Sequence, residues 1–166
     1  SDLNIARNLF KNSSLVAGEV PSILQDSRNL GDQFCVINIR NSASDPLRNF
    51  PDRDLPELIE LLNEIAIVGI FIDDVENPLE ISIPGHLIIS DCTIAERIWL
   101  YRNSKFSISS NTGPLGMTIY YANLTFIFKM CRENSVYGSE ETLKRVGLTI
   151  GSQPIDEGCH FCWSDS

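Results

Sequence analysis

Apolar residues along the chain come in short runs broken by polar turns, and strand-like and helix-like periodicities alternate. Residues 34–39, FCVINI, are apolar almost throughout, as expected of a central parallel strand buried on both faces. Residues 54–66 repeat Leu55, Leu58, Ile59, Leu62, Ile65 and Ala66 at spacings of three and four, which predicts an amphipathic helix. Asp54 with Glu57 reads as its capping pair, and Pro56 falls in the first turn, where a missing N–H costs nothing. A second strand follows at 67–72, with Gly69 as a break between helix and strand. His86 opens a third strand, 87–90, which ends at Asp91. Thr93 and Glu96 form a capping box for a helix over 94–103, whose Ile94, Ile98, Trp99 and Tyr101 read as packing residues.

The stretch 106–129 organises the rest. It reads as a strand (106–110), a polar turn (111–114), a short apolar helix (115–122) and a further strand (125–128). Ser139 then caps a short helix over 140–146, which Gly147 stops. Alternating strands and helices predict an α/β fold, a Rossmann-like doubly wound parallel sheet of about five strands with helices on both faces. Three segments follow from this reading: a helical or irregular lead-in over 1–33, the Rossmann-like domain over 34–150, and a C-terminal tail over 151–166. The opening Ser1-Asp2 lacks a methionine, so the chain is expected to be part of a longer protein.

Composition narrows the partners. The 166 residues are 43% hydrophobic and 21% charged, which suits one globular domain with a real core. The chain carries 22 acids against 13 bases, a net charge of −9 with no basic block, so no nucleic-acid partner is expected. A small phosphorylated ligand remains compatible, because a few amides and one arginine hold it against the net charge. No apolar run reaches the roughly 18 residues of a membrane span, and the start, SDLNIARNLF, does not read as a signal peptide. Five cysteines without tight pairing suit reduced thiols in a cytoplasmic setting.

Chemistry concentrates where strands end. Ligands of open α/β sheets bind beyond the carboxyl ends of the strands. Arg40 follows the first strand, where a guanidinium clamps a diphosphate through two parallel hydrogen bonds or pairs with Asp45 or Asp52 on the surface. Ser109, Ser110, Asn111 and Thr112 cluster hydroxyl and amide groups before the short helix. Gly113 there lets a ligand approach the backbone closely, and the turn reads either as an anion site or as an ordinary helix start capped by Thr112. Arg132 and Glu133 fall on the same edge. Asp73-Asp74 ends the second strand and reads as a strand terminus ahead of a metal site. His86 reads as structural ahead of catalytic, and Cys159, His160 and Cys162 read as a dangling tail, since a zinc site's spacing and fourth ligand are missing. No metal or cofactor is implied.

Together these residues resemble a known family. An apolar strand ending in Arg40, the loop D-P-L-R-N-F before a capped helix, the strand I-F-I-D-D, and F-S-I-S-S-N-T-G-P-L-G-M followed by T-F-I-F look like the nucleotide-sugar half of a GT-B glycosyltransferase. They are similar to a bacterial group of glycosyltransferases and, more distantly, to the carboxyl-terminal half of the heptosyltransferases, over residues 34–146. The resemblance implies a nucleotide-sugar donor whose diphosphate lies against Ser110, Thr112 and Gly113, with Arg40 as its cationic partner. Arg48 and Asn49 match the family's R-N segment, and Asn111 and Arg132 line the same substrate edge. The heptosyltransferase turn carries an aspartate before Thr-Gly and a histidine three positions after that glycine. Asn111 and Gly116 stand there in this chain. The acceptor-activating base would come from a missing N-terminal domain, so the chain is expected to be an incomplete catalyst. The alternative is a noncatalytic doubly wound module that binds a small anion or a protein partner.

Overall fold

Strand order, not strand number, decides where this molecule can bind a ligand. The structure, a computed structural model, describes residues 20–21, 24, 33–43, 46, 49–50, 54–73, 82–110, 115–128, 139–145, 147–153 and 158–163. In chain order these form β1 (Phe34–Asn38), α1 (Leu55–Glu64), β2 (Val68–Ile72), β3 (Leu87–Ile89), α2 (Ile94–Asn103), β4 (Ser107–Ser110), α3 (Leu115–Tyr121), β5 (Thr125–Phe128), α4 (Glu140–Arg145) and β6 (Cys159–Phe161). The strands make one six-stranded sheet in the order β3-β2-β1-β4-β5-β6. Every pairing is parallel.

Alternation along the strands sorts the core into two layers. Phe34, Val36, Ile70 and Ile72 pack with Ile98, Leu100 and Tyr101 of α2 and with Tyr121 at the end of α3. Cys35, Ile37, Phe71 and Ile108 point the other way and pack with Leu55 and Leu62 of α1. Helices therefore line both faces, and β1 is buried along its whole length, as its unbroken apolar run requires. A fully buried isoleucine or phenylalanine of this kind contributes roughly 1.5–3 kcal/mol. A third cluster joins Ile127, Leu143 of α4, Cys159 and Phe161. Leu24, from the lead-in, is buried against the Phe34 layer.

Local signals were partly as expected. Thr93 Oγ1 accepts from the Glu96 N–H at 3.2 Å, and Glu96 Oε2 accepts from the Thr93 N–H at 2.8 Å, completing the capping box. Ser139 Oγ accepts from the Thr142 N–H at 3.3 Å. Gly147, at φ 81°, closes α4, with Leu148 N–H returning to the Leu143 carbonyl and Gly147 N–H to that of Lys144.

Four expectations need correction. Asp54 makes no side-chain cap bond. Its backbone is already helical there, so the carboxylate cannot reach the free amides as a cap in extended geometry does. Gly69 lies inside β2, and the break falls at Ala66, the described non-glycine residue with positive φ, 54°. Ile94 stands exposed at the start of α2. Finally, the segment read as a dangling tail supplies β6, while the α/β parallel sheet of about five strands stands, with six.

β6 is an edge, and its open side is occupied. The Gln153 carboxamide donates to the Phe161 carbonyl at 2.7 Å and accepts from the Phe161 N–H at 2.8 Å, while Trp163 Nε1 donates to the Ser152 carbonyl at 2.6 Å. Unpaired edge groups otherwise template aggregation. Among the described residues, no helix is long and apolar enough to cross a membrane.

Candidate functional site

The strand order reverses between β1 and β4, so the connections leaving their carboxyl ends run in opposite directions and open a crevice there. Asn38 is registered with Ser109 across this junction. Arg40 lies two residues past Asn38, beyond the end of β1, and Ser110, one past Ser109, is the last residue of β4.

Both hold unspent hydrogen-bonding capacity. Ser110 is 2% exposed, and its Oγ is buried without a partner among the described residues. Ser109 differs, since its Oγ donates to the Ser110 carbonyl at 3.0 Å. Arg40 is half-buried, and its Nε is likewise buried without a partner among the described residues. A buried donor left unmade costs about 1–3 kcal/mol, so each is a candidate for a ligand contact.

The loop after β1 is tied at its neck. Phe50 N–H donates to the Arg40 carbonyl at 3.1 Å. The Asn49 carboxamide accepts from the Ser42 N–H at 2.9 Å and donates to the Ser42 carbonyl at 3.1 Å. Beyond β2, Asp73 is buried and its Oδ2 accepts from Ser90 Oγ at 3.2 Å. Thus the β2–β3 side of the rim carries the Asp73 carboxyl, and the β1–β4 side the Arg40 guanidinium and the Ser110 hydroxyl.

Below the rim, a buried polar pair fixes the junction. Tyr101 Oη donates to Asn38 Oδ1 at 2.6 Å, and Asn38 Nδ2 reaches the Ile108 carbonyl at 3.5 Å. Burial pushes the Tyr101 phenol up to about 12, so it stays a donor at neutral pH. Ser107 and Thr125 hydroxyls meet at 2.9 Å, and Thr125 Oγ1 donates to the Thr118 carbonyl at 3.2 Å, tying β4 and β5 to α3.

Of the residues expected at the site, Arg40 and Ser110 stand at the carboxyl ends of adjacent strands, while Asn49 spends its amide on the loop after β1. Arg48, Asn111, Thr112, Gly113 and Arg132 lie outside the described residues, as do Asp45, Asp52, Asp74 and Glu133. His86 does not belong here. It precedes β3 at the opposite end of the sheet, where its Nδ1 accepts from the Gly69 N–H at 2.8 Å. Cys159 points into the core while His160 is exposed on the other side of β6, stacked on Phe126, so the two cannot share a metal. Among the described residues, no cluster of three metal-ligating side chains occurs. Burial raises the Cys35 thiol to about 12 and the Cys92 thiol to about 11, which leaves neither a nucleophile.

Sequence reasoning overlooked Asn38 and Ser42, and took Tyr101 for a packing residue without its hydrogen bond. A polar asparagine inside the apolar run FCVINI was the available signal, because a buried amide demands a partner. Comparison with protein-family models, with curated proteins and with solved structures yields no match to this chain.

Proposed function

We propose that the chain binds a nucleoside-diphosphate sugar at the carboxyl ends of β1 and β4, as the donor-binding half of a GT-B type glycosyltransferase. The observation that carries this reading is the pair of unspent buried donors, on Arg40 and Ser110, flanking the point where the strand order reverses.

The chemistry of the rim orients such a ligand. Residues 40–53, after β1, contain no glycine, whereas the segment after β4 contains Gly113. A diphosphate needs close backbone approach, which a glycine permits. The acidic end of β2 repels phosphate and favours hydroxyl groups. Hence the diphosphate faces β4, and the rest of the donor extends towards Asp73 and Ser90.

Glycosyl transfer displaces the nucleoside diphosphate from the anomeric carbon, and negative charge grows on the leaving phosphate. Arg40 and the Ser110 hydroxyl stabilise that charge more in the transition state than in the ground state. In this reading the acceptor-activating base is carried by another domain.

The test is an amide NMR titration of the labelled protein with UDP, GDP, ADP and CMP. Shifts centred on Arg40 and Ser110 are expected, ranked by base. Silence towards every nucleotide at millimolar concentration overturns the donor-binding reading and leaves a noncatalytic module.

A further inference from the structure

Asn49 is placed by family resemblance in the substrate-binding set, yet its side chain is turned inward. Its oxygen and nitrogen hold the N–H and the carbonyl of the same residue, Ser42, at 2.9 and 3.1 Å. A carboxamide used this way imitates a strand neighbour: it satisfies both backbone groups of a residue seven positions back. The Asn49 N–H donates to the Pro46 carbonyl at 3.1 Å, and the next residue, Phe50, donates to the Arg40 carbonyl at 3.1 Å. Ser42 is 5% exposed, so the clasp satisfies backbone groups of a buried residue.

These bonds lie within two residues of Arg40 along one strand of the neck and within one residue of Phe50 along the other. The backbone of Arg40 is thereby fixed from both sides, by the β1 ladder that ends just before it and by the Phe50 bond. The guanidinium starts from a fixed point, and its Nε is held buried without a partner among the described residues. An arginine has several rotatable bonds and loses about 2 kcal/mol of rotamer entropy when immobilised. Fixing its base in advance removes part of that cost from binding.

We propose that Asn49 is a positioning residue: by clasping Ser42 it locks the neck of the β1 loop and presents Arg40 to the ligand's diphosphate, without touching the ligand itself. This rests on the diphosphate-binding reading above.

The experiment compares wild type, Asn49→Ala and Asn49→Asp. The aspartate retains the acceptor for the Ser42 N–H but has lost the donor. Two quantities are read: hydrogen exchange of the Arg40 Nε–H in the ligand-free protein, and affinity for UDP and for inorganic pyrophosphate. In Asn49→Ala the Nε–H exchanges at least roughly tenfold faster while amides of β4 and β5 keep their protection, and both probes bind roughly tenfold more weakly. Asn49→Asp falls between. Pyrophosphate has no base or sugar, so an equal loss for both probes locates the effect at the phosphates. An unchanged Arg40 Nε–H in Asn49→Ala overturns the positioning role, as does a UDP-induced shift of the Asn49 side-chain amide that opens the clasp. If wild type binds neither UDP nor pyrophosphate, the diphosphate reading fails, while the Nε–H comparison still decides whether Asn49 holds Arg40.

Discussion

His86 Nδ1 accepts a hydrogen bond from the backbone N–H of Gly69 at 2.8 Å, before β3 has begun. Parallel ladders bond alternate residues to opposite neighbours, and Val68 N–H already donates to Gln33 on the β1 side. Gly69 N–H therefore faces the β3 side one residue too early for a strand partner, and the imidazole fills the place. Burial lowers the His86 pKa below its ordinary 6.5.

Acid should accordingly weaken the fold through this contact. A protonated Nδ1 would set donor against donor, so the native state keeps His86 neutral while the unfolded chain takes up a proton below about pH 6.5. The unfolded state binds more protons in that window, and stability falls as pH drops through it. Urea midpoints measured from neutral pH down to about pH 5 should decline in wild type. His86→Gln, which retains an acceptor but does not titrate, should flatten that part of the curve. An unchanged slope would remove His86 as its source.

Gly69→Ala should be destabilising by about 1–3 kcal/mol through overpacking. A Cβ there would lie 2.8 Å from Phe71 Cε2 and 3.0 Å from both His86 Nδ1 and Leu62 Cδ1. These three neighbours come from β2, the β3 entry and α1, so none yields freely. Gly85→Ala makes the contrast: no atom stands within 4 Å, and only the φ of +82° is strained, a cost of about 1 kcal/mol. Thermal melting of both variants should rank Gly69→Ala lower.

That glycine also shows what the sequence could and could not disclose. FCVINI announced a central strand because burial on both faces leaves almost no polar positions, and Thr93-x-x-Glu96 announced a helix start because the bonds are local. Gly69 was read as a break because a glycine between helix and strand usually is one. Its reason is three side chains brought from elsewhere, which no local pattern contains. β6 was visible in principle, since Cys159 and Phe161 point inward and His160 outward, but three residues of alternation are too few to outweigh a position near the chain's end. At the rim, Arg40 and Ser110 are candidates that strand ends alone suggest. The inward turn of Asn49 depends on the fold of its loop.

Tyr101→Phe should cost about 1–3 kcal/mol by stranding Asn38 Oδ1 in the core. Both residues are at most 3% exposed and their bond is 2.6 Å, so water cannot substitute. The phenol adds an alkaline signature. Its pKa is raised by burial from 10.0 to about 12, so the unfolded chain loses this proton first. Stability should decline with rising pH between those two values, and Tyr101→Phe should remove that component. Denaturant titrations at paired alkaline pH values provide the check.

Gln153→Ala should loosen β6 without unfolding the sheet. The two bonds to Phe161, at 2.7 and 2.8 Å, are lost together, for about 1 kcal/mol of net stability. Amide exchange at Phe161 should accelerate while Ile37 and Ile70, in the sheet centre, remain protected. Exposure of the free edge should also raise the tendency to self-associate, read by light scattering. Equal acceleration throughout the sheet would mean that the clasp holds the whole domain.

Ser110→Ala separates function from stability. The wild-type hydroxyl is buried, with no partner among the described residues, so deleting it relieves a desolvation penalty and should leave stability unchanged or higher by about 1 kcal/mol. If the oxygen is held in reserve for a phosphate, the same deletion should weaken UDP binding by roughly tenfold, the usual scale for one hydrogen bond to a charged group. Most binding-site substitutions that harm affinity also harm or spare the fold for unrelated reasons. Here one unmade bond predicts both signs. Calorimetric melting and UDP titration of Ser110→Ala against wild type test them together: a less stable variant would show that the hydroxyl has a structural partner, and a variant with higher stability and undiminished UDP affinity would place the diphosphate elsewhere.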